Sequence, residues 1–193
     1  MEQNWKARPE KLWSEERRAR LEPSKIAPLM DMFPGAKVAD VGCGSGFFTV
    51  ELAKEMPDGE IWAVDVSDEM LCALKERLAE RGVKNVTPLL CQENGIPLPD
   101  GYLDRALTAQ VLHEANNKRA FLAEVSRILK EGGKIVLVDW RRAPSPSGPP
   151  LKERVAVKEA MKLLTDVGFW EIGHHSIYPY SYVLTAQKGY QRG

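Results

Sequence analysis

The chain has 193 residues, 44% of them hydrophobic, which suits a single domain with a substantial core. Lys plus Arg and Asp plus Glu number 27 each, so no global basic field recommends a nucleic acid as partner. The start, Met1-Glu2-Gln3-Asn4-Trp5, lacks an apolar signal region, and no run approaches the roughly 18 apolar residues of a membrane span; a cytoplasmic location without a membrane span is expected.

Residues 1–35 carry two helical patterns and are expected to form an N-terminal helical segment of the same domain that fills 36–193. The first, 10–20, holds Leu12 and Trp13 among many charges, and the second, 24–33, is more apolar and follows Pro23. Alternating strands and helices follow. Strands are expected at 38–41, 60–66, 86–90, 103–109 and 134–139, the last continuously apolar as in a buried parallel sheet. Helices are expected at 47–56, stopped by Pro57, at 68–81, closed by Gly82, and at 118–130, ahead of a Gly132-Gly133 stop. A Pro-rich loop, 143–150, leads to a helix at 152–167 that Gly168 ends; runs at 170–177 and 182–187 then face each other across Tyr178-Pro179-Tyr180 as a hairpin. The rhythm predicts helices on both faces of a mainly parallel sheet.

The most informative segment is Val38-Ala39-Asp40-Val41-Gly42-Cys43-Gly44-Ser45-Gly46, with Ala63-Val64-Asp65 further on. A strand runs into alternating glycines, a helix follows, and the next strand ends on an acid about 20 residues after the turn, an arrangement that suits a nucleoside ligand. The spacing is G-x-G-x-G, and Phe47 stands where a dinucleotide fingerprint would place its third glycine. Asp40, just before the turn, would repel phosphate and suit a cation. The three cysteines, Cys43, Cys72 and Cys91, lie far apart without C-x-x-C spacing and read as packing residues, with neither a metal site nor a disulfide framework expected.

From about Val38 to Trp140 the chain resembles the class I S-adenosylmethionine-dependent methyltransferases, whose first motif is an acid followed by G-x-G-x-G; the pattern is nearest to the ubiquinone/menaquinone-biosynthesis type. The resemblance implies a Rossmann-like three-layer αβα sandwich around a mainly parallel seven-stranded sheet with a reversed strand near the C-terminus. It implies S-adenosylmethionine as cofactor, S-adenosylhomocysteine as product and a small-molecule methyl acceptor as partner. By this resemblance Gly42, Cys43, Gly44 and Gly46 approach the methionyl part and ribose, Asp40 lies near its amino group or is reached through water, and Asp65 accepts from both ribose hydroxyls. Val66 and Met70 either pack on the adenine or serve as ordinary core. Cys91 to Asp100 resembles a family segment in which an acid holds the adenine amino group; Gln92 stands at that place here, so Gln92 or Glu93 makes the contact.

Ala109 and Gln110, after the fourth strand, are implied to touch the cofactor. His113 in the same loop is either a general base, suited by an unperturbed pKa of about 6.5, or a residue that orders the loop. Trp140 and Arg141 end the fifth strand at the same sheet edge and either receive an aromatic or anionic acceptor or stay structural, with Asp139 capping a turn. In the family, N-terminal helices often cover the cofactor, so residues 1–35 are a lid or a solvated face, with Trp5 and Trp13 as the apolar contacts of a lid. The loop after the fourth strand carries none of the motifs of nucleic-acid amino methyltransferases, arginine methyltransferases or metal-dependent catechol-type enzymes. A dinucleotide-dependent oxidoreductase and a catalytically silent cofactor-binding module are the alternative readings, and nothing in the pattern specifies an oligomeric state.

Overall fold

In the computed structural model, which describes residues 9–190, the apolar runs form seven strands: β1 (Lys37–Val41), β2 (Glu60–Asp65), β3 (Val86–Leu90), β4 (Leu103–Ala109), β5 (Leu129–Trp140), β6 (Phe169–His175) and β7 (Ser181–Lys188). They hydrogen-bond in the order β3-β2-β1-β4-β5-β7-β6. Strands β1 to β5 pair in parallel, whereas β7 runs antiparallel to both β5 and β6 and is the reversed strand. The order turns back at β1 and β4, so the crevice at the carboxyl ends of these central strands is where an open sheet of this kind binds ligands.

Strand alternation sends successive side chains to opposite faces and so divides the core. Ala39, Val64, Ala106, Ile135, Leu137 and Leu184 pack under α5 (Lys118–Ile128) and α6 (Val157–Asp166). Val38, Ile61, Leu107, Val136 and Val183 pack on the other face with α2 (Ala27–Met30) and α3 (Thr49–Glu55). On the same side α4 (Asp68–Glu80) buries Leu71, Leu74 and Leu78 against Ala63. Its start is fixed by Ser67, whose hydroxyl accepts from Met70 N at 3.3 Å, with Asp68 and Glu69 in the first turn.

Four boundaries depart from the sequence pattern, each for a local reason. The helix expected over 10–20 breaks at Ser14, whose hydroxyl caps α1 (Glu15–Arg20) by accepting from Arg17 N; a 3-10 turn, Lys11–Trp13, precedes it. The 24–33 pattern becomes a 3-10 turn, Pro23–Lys25, and the single-turn α2, because Asp31 takes a left-handed φ of 50° and Arg105 Nε binds the Met30 carbonyl at 2.8 Å. Helix α5 ends at Ile128, and Leu129 already pairs with Leu103, so Gly132-Gly133 lies within a bulged start of β5 and does not stop the helix. Helix α6 begins only at Val157, because Arg154 pins the preceding chain: its guanidinium donates to the carbonyls of Pro149, Arg141 and Ala143 at 2.8, 3.0 and 2.7 Å. Trp5 lies outside the described residues. No helix among the described residues is long and apolar enough to cross a membrane.

Candidate cofactor and acceptor site

All three glycines of the turn after β1 adopt left-handed backbone, with φ of +77° at Gly42, +53° at Gly44 and +88° at Gly46. The conformation favours glycine on its own, and close neighbours enforce it. A methyl group on Gly42 would stand 2.3 Å from Val111 Cγ2, and one on Gly44 2.7 Å from Leu12 Cδ1. Gly42→Ala is therefore expected to destabilise the protein by about 2 kcal/mol or more through backbone strain and overpacking, read as a lowered urea midpoint with unchanged slope.

Asp65, the last residue of β2, clasps this turn. Its Oδ2 accepts from Gly44 N at 2.8 Å and its Oδ1 from Ser67 N at 2.9 Å. Each oxygen keeps a lone pair for a further donor. Burial raises its pKa above the ordinary carboxylate value, against the pull of the backbone N–H groups of Ser67, Gly44 and Val66. Beside it Val66 is 60% exposed and Leu90 52%, an apolar pair left bare at the ends of β2 and β3, while Met70 is buried beneath. Cys43 is also buried in the turn, and that burial pushes its thiol well above the ordinary value.

Asp40 lies behind the turn, 1% exposed, and its Oδ2 accepts from Thr49 Oγ1 at 2.7 Å. Burial pushes its pKa up to about 7; the hydrogen bond from Thr49 and the charge of Arg17 pull down, and the charge of Asp65 adds to the rise. Gln92 and Glu93 part company. Glu93 accepts from Asn116 N at 2.6 Å and from Asn116 Nδ2 at 2.7 Å and so fastens the start of α5, whereas the exposed Gln92 makes only a backbone pairing with Gly95.

The opposite lip begins where β4 ends. Ala109 is buried, and Gln110 takes a left-handed φ of 61° while its N–H donates to the Val138 carbonyl at 2.7 Å. Such backbone in a residue with a Cβ is strained and is held by its surroundings. His113 follows, 8% exposed, with Nδ1 2.7 Å from Asp139 Oδ1 and its backbone N–H donating to Asp139 Oδ2 at 2.9 Å. Asp139 is fully buried and also accepts from Trp140 N at 2.7 Å. The other ring nitrogen, Nε2, lies 3.7 Å from Glu114 Oε1. The two contacts with Asp139 tie the loop after β4 to the end of β5.

Trp140 is not an open platform. Only 5% exposed, its ring lies under Gly148 of the Pro-rich loop, where an added methyl would come within 2.8 Å, and between the guanidinium groups of Arg20 and Arg154 at 5.0 and 5.1 Å. Stacking of an acceptor on Trp140 requires this loop to lift. Arg141 is half-buried and its Nε donates to the Ser181 carbonyl at 3.1 Å.

Of the residues around the site, Pro9, Arg17 and Arg20 carry no motif, whereas Trp13 is the residue that the sequence offers as an apolar contact of a lid. The segment from Pro9 to Arg20 lies across the turn: Ser45 Oγ donates to the Pro9 carbonyl at 3.1 Å, and Trp13 Nε1 to the Ser45 carbonyl at 3.2 Å. Leu12 covers Gly44, Arg17 lies over the Phe47 ring at 4.9 Å, and Arg20 donates to Ser147 in the Pro-rich loop. The segment therefore bridges both lips. Among the described residues no group of three His, Cys, Asp or Glu stands together as metal ligands.

A clasped glycine turn and an acid at the carboxyl ends of neighbouring parallel strands define a nucleoside-binding α/β protein. Comparison with known proteins narrows the class. A family model described as a methyltransferase domain matches residues 38–133. The ubiquinone/menaquinone biosynthesis C-methyltransferase UbiE of Burkholderia orbicola (strain MC0-3) is 39% identical over 115 residues, 58% of this chain and 46% of that protein. The chain thus spans about half the length of the curated relatives it matches. A solved S-adenosylmethionine-dependent methyltransferase from Aquifex aeolicus is 30% identical, with a TM-score of 0.86 over 94% of this chain and 99% of that one. The [4+2]-cyclase SpnF, 18% identical with a TM-score of 0.78 over 97% of this chain and 85% of that one, shares the fold alone. The chain belongs to the S-adenosylmethionine-dependent methyltransferases.

Proposed function

We propose that this protein moves the methyl group of S-adenosylmethionine to a small-molecule acceptor by in-line displacement. The observation that carries the reading is the pairing of two lips: Asp65 clasped to the glycine turn on one, and His113 held by Asp139 on the other. The chemistry supplied by the cofactor is an electrophilic sulfonium methyl; the protein aligns the acceptor and excludes water.

The residues present fit that cofactor. Asp65 has one lone pair per oxygen for the ribose hydroxyls, Val66 and Leu90 offer bare apolar surface to the adenine, and Gln92 has a side-chain carbonyl for its amino group. With Glu93 engaged by Asn116, Gln92 takes the adenine contact in this reading. Gly42, Cys43, Gly44 and Gly46 line the methionyl part with Ala109 and Gln110, and Asp40 offers charge to its ammonium. Residues 9–35, the described part of the N-terminal segment, act as a cover built into the same domain, supported by the seating of Leu12 and Trp13 on the turn and of Leu21, Ile26 and Met30 in the core. Arg141 and, once the Pro-rich loop lifts, Trp140 face the acceptor. The same reading places the protein in the cytoplasm and gives it no nucleic-acid partner; the balanced charge supports the latter.

His113 Nε2 accepts the proton of an acceptor that must lose one, and Asp139 stabilises the imidazolium that results. His113→Asn is expected to lower turnover at least tenfold while S-adenosylmethionine affinity stays within about twofold, measured by single-turnover transfer and calorimetry. An unaltered rate would make His113 purely a loop residue. Titration with S-adenosylmethionine, S-adenosylhomocysteine and NAD tests the whole reading: binding of NAD alone would overturn it, and binding of the first two without transfer to any compound of a metabolite extract would leave a silent module.

A further inference from the structure

The cover segment holds a cation that the protein itself leaves incompletely paired. Arg17 is anchored through α1, where Ser14 caps its N–H, and its guanidinium reaches in over Phe47. Although the residue keeps some exposed surface, its Nε is buried and has no hydrogen-bond acceptor. No described carboxylate lies within 4.0 Å of the guanidinium, and the acids that act on it from a distance are Asp40, behind the glycine turn, and Glu114, on the opposite lip. Arg17 therefore lies over the Phe47 ring within electrostatic reach of an acid on each lip.

A stacking contact with Phe47 explains the position of the guanidinium face but does not satisfy an in-plane Nε–H donor. Leaving such a donor buried and unpaired is costly, and a planar fork is matched best by a carboxylate. The methionyl tail of the cofactor presents both charges, an ammonium and a carboxylate. Asp40 answers the first. We propose that Arg17 answers the second, so that the cover segment binds the cofactor directly through its α-carboxylate and carries specificity for the methionyl tail. The inference rests on the cofactor reading above. It makes closure of the segment and cofactor binding one event, because the same six-residue helix that presents Arg17 also joins Trp140 and Ser147 through Arg20.

The test compares the full chain with Arg17→Met and Arg17→Lys, by calorimetry, using S-adenosylmethionine, its decarboxylated analogue and methylthioadenosine, which lacks the tail. The wild-type protein is expected to bind S-adenosylmethionine at least tenfold more tightly than the decarboxylated analogue. In Arg17→Met this preference falls to within about twofold while methylthioadenosine affinity is unchanged, and Arg17→Lys restores part of it. Equal weakening for all three ligands would overturn the proposal and make Arg17 a packing residue of the segment; so would a wild-type protein that ignores the carboxylate. Failure of every nucleoside to bind the folded wild-type protein would overturn the cofactor reading together with it.

Discussion

Asp65→Ala is expected to weaken S-adenosylmethionine binding by one to two orders of magnitude in calorimetric titration, with a far smaller change in thermal stability. Two contributions act together. The carboxylate offers charge-assisted acceptor sites to a vicinal diol, and each such bond contributes about 1.5–3 kcal/mol when its partner is charged. It also anchors Gly44 N at 2.8 Å and Ser67 N at 2.9 Å, so its removal loosens the turn on which the methionyl part would rest. Asp65→Asn separates the two: one amide oxygen still accepts from a backbone N–H, but the amide nitrogen is a donor facing donors. The Asn variant keeps one of the two backbone contacts and should therefore recover at most part of the turn's order without recovering affinity. An Ala variant that binds as tightly as wild type would remove Asp65 from the site.

The features legible in the sequence are those carried by local pattern. The continuous apolar run Ile135-Val136-Leu137-Val138, the α4 face of Leu71, Leu74 and Leu78, and the spacing of Gly42, Gly44 and Gly46 each encode their element within a few residues. What was not legible depends on partners far apart in the chain. His113 and Asp139 are separated by 26 positions, and a histidine alone does not say which acid will orient it. Glu93 is taken from the adenine side by Asn116, 23 positions on. Arg20 and Ser147 are 127 positions apart, and their contact helps convert Trp140 from a plausible stacking platform into a covered ring. Helix boundaries failed for a related reason. Ser14, Asp31 and Arg154 end or delay helices through a cap, a left-handed residue and side-chain hydrogen bonds to carbonyls, all of which overrule the 3.6-residue pattern around them.

Asp40→Asn is expected to stabilise the protein at alkaline pH while impairing cofactor binding. Burial raises the Asp40 pKa from 3.8 to about 7, so between these values the folded protein holds a proton that the unfolded chain has released. Stability contributed by this group is then present at low pH and is lost as pH rises from about 4 to about 7. At 1.36 kcal/mol per pKa unit, the loss approaches about 4 kcal/mol once Asp40 is ionised. Asparagine keeps an oxygen for Thr49 Oγ1 and never ionises, so denaturation of Asp40→Asn and wild type should nearly coincide at pH 4 and diverge by about 2–4 kcal/mol at pH 8. The binding consequence has the opposite sign. A cation brought beside Asp40 favours its ionised form, so wild-type binding of S-adenosylmethionine should release protons and tighten between pH 6 and pH 8, whereas the variant binds weakly without that dependence. Proton release is read from calorimetry in buffers of different ionisation enthalpy. A stability difference that is equal at pH 4 and pH 8, or a variant that binds with wild-type affinity, would show that Asp40 is a packing residue. The expected pattern makes Asp40 a group kept at the expense of stability, because an ionised carboxylate behind the glycine turn has a use only when a cation faces it.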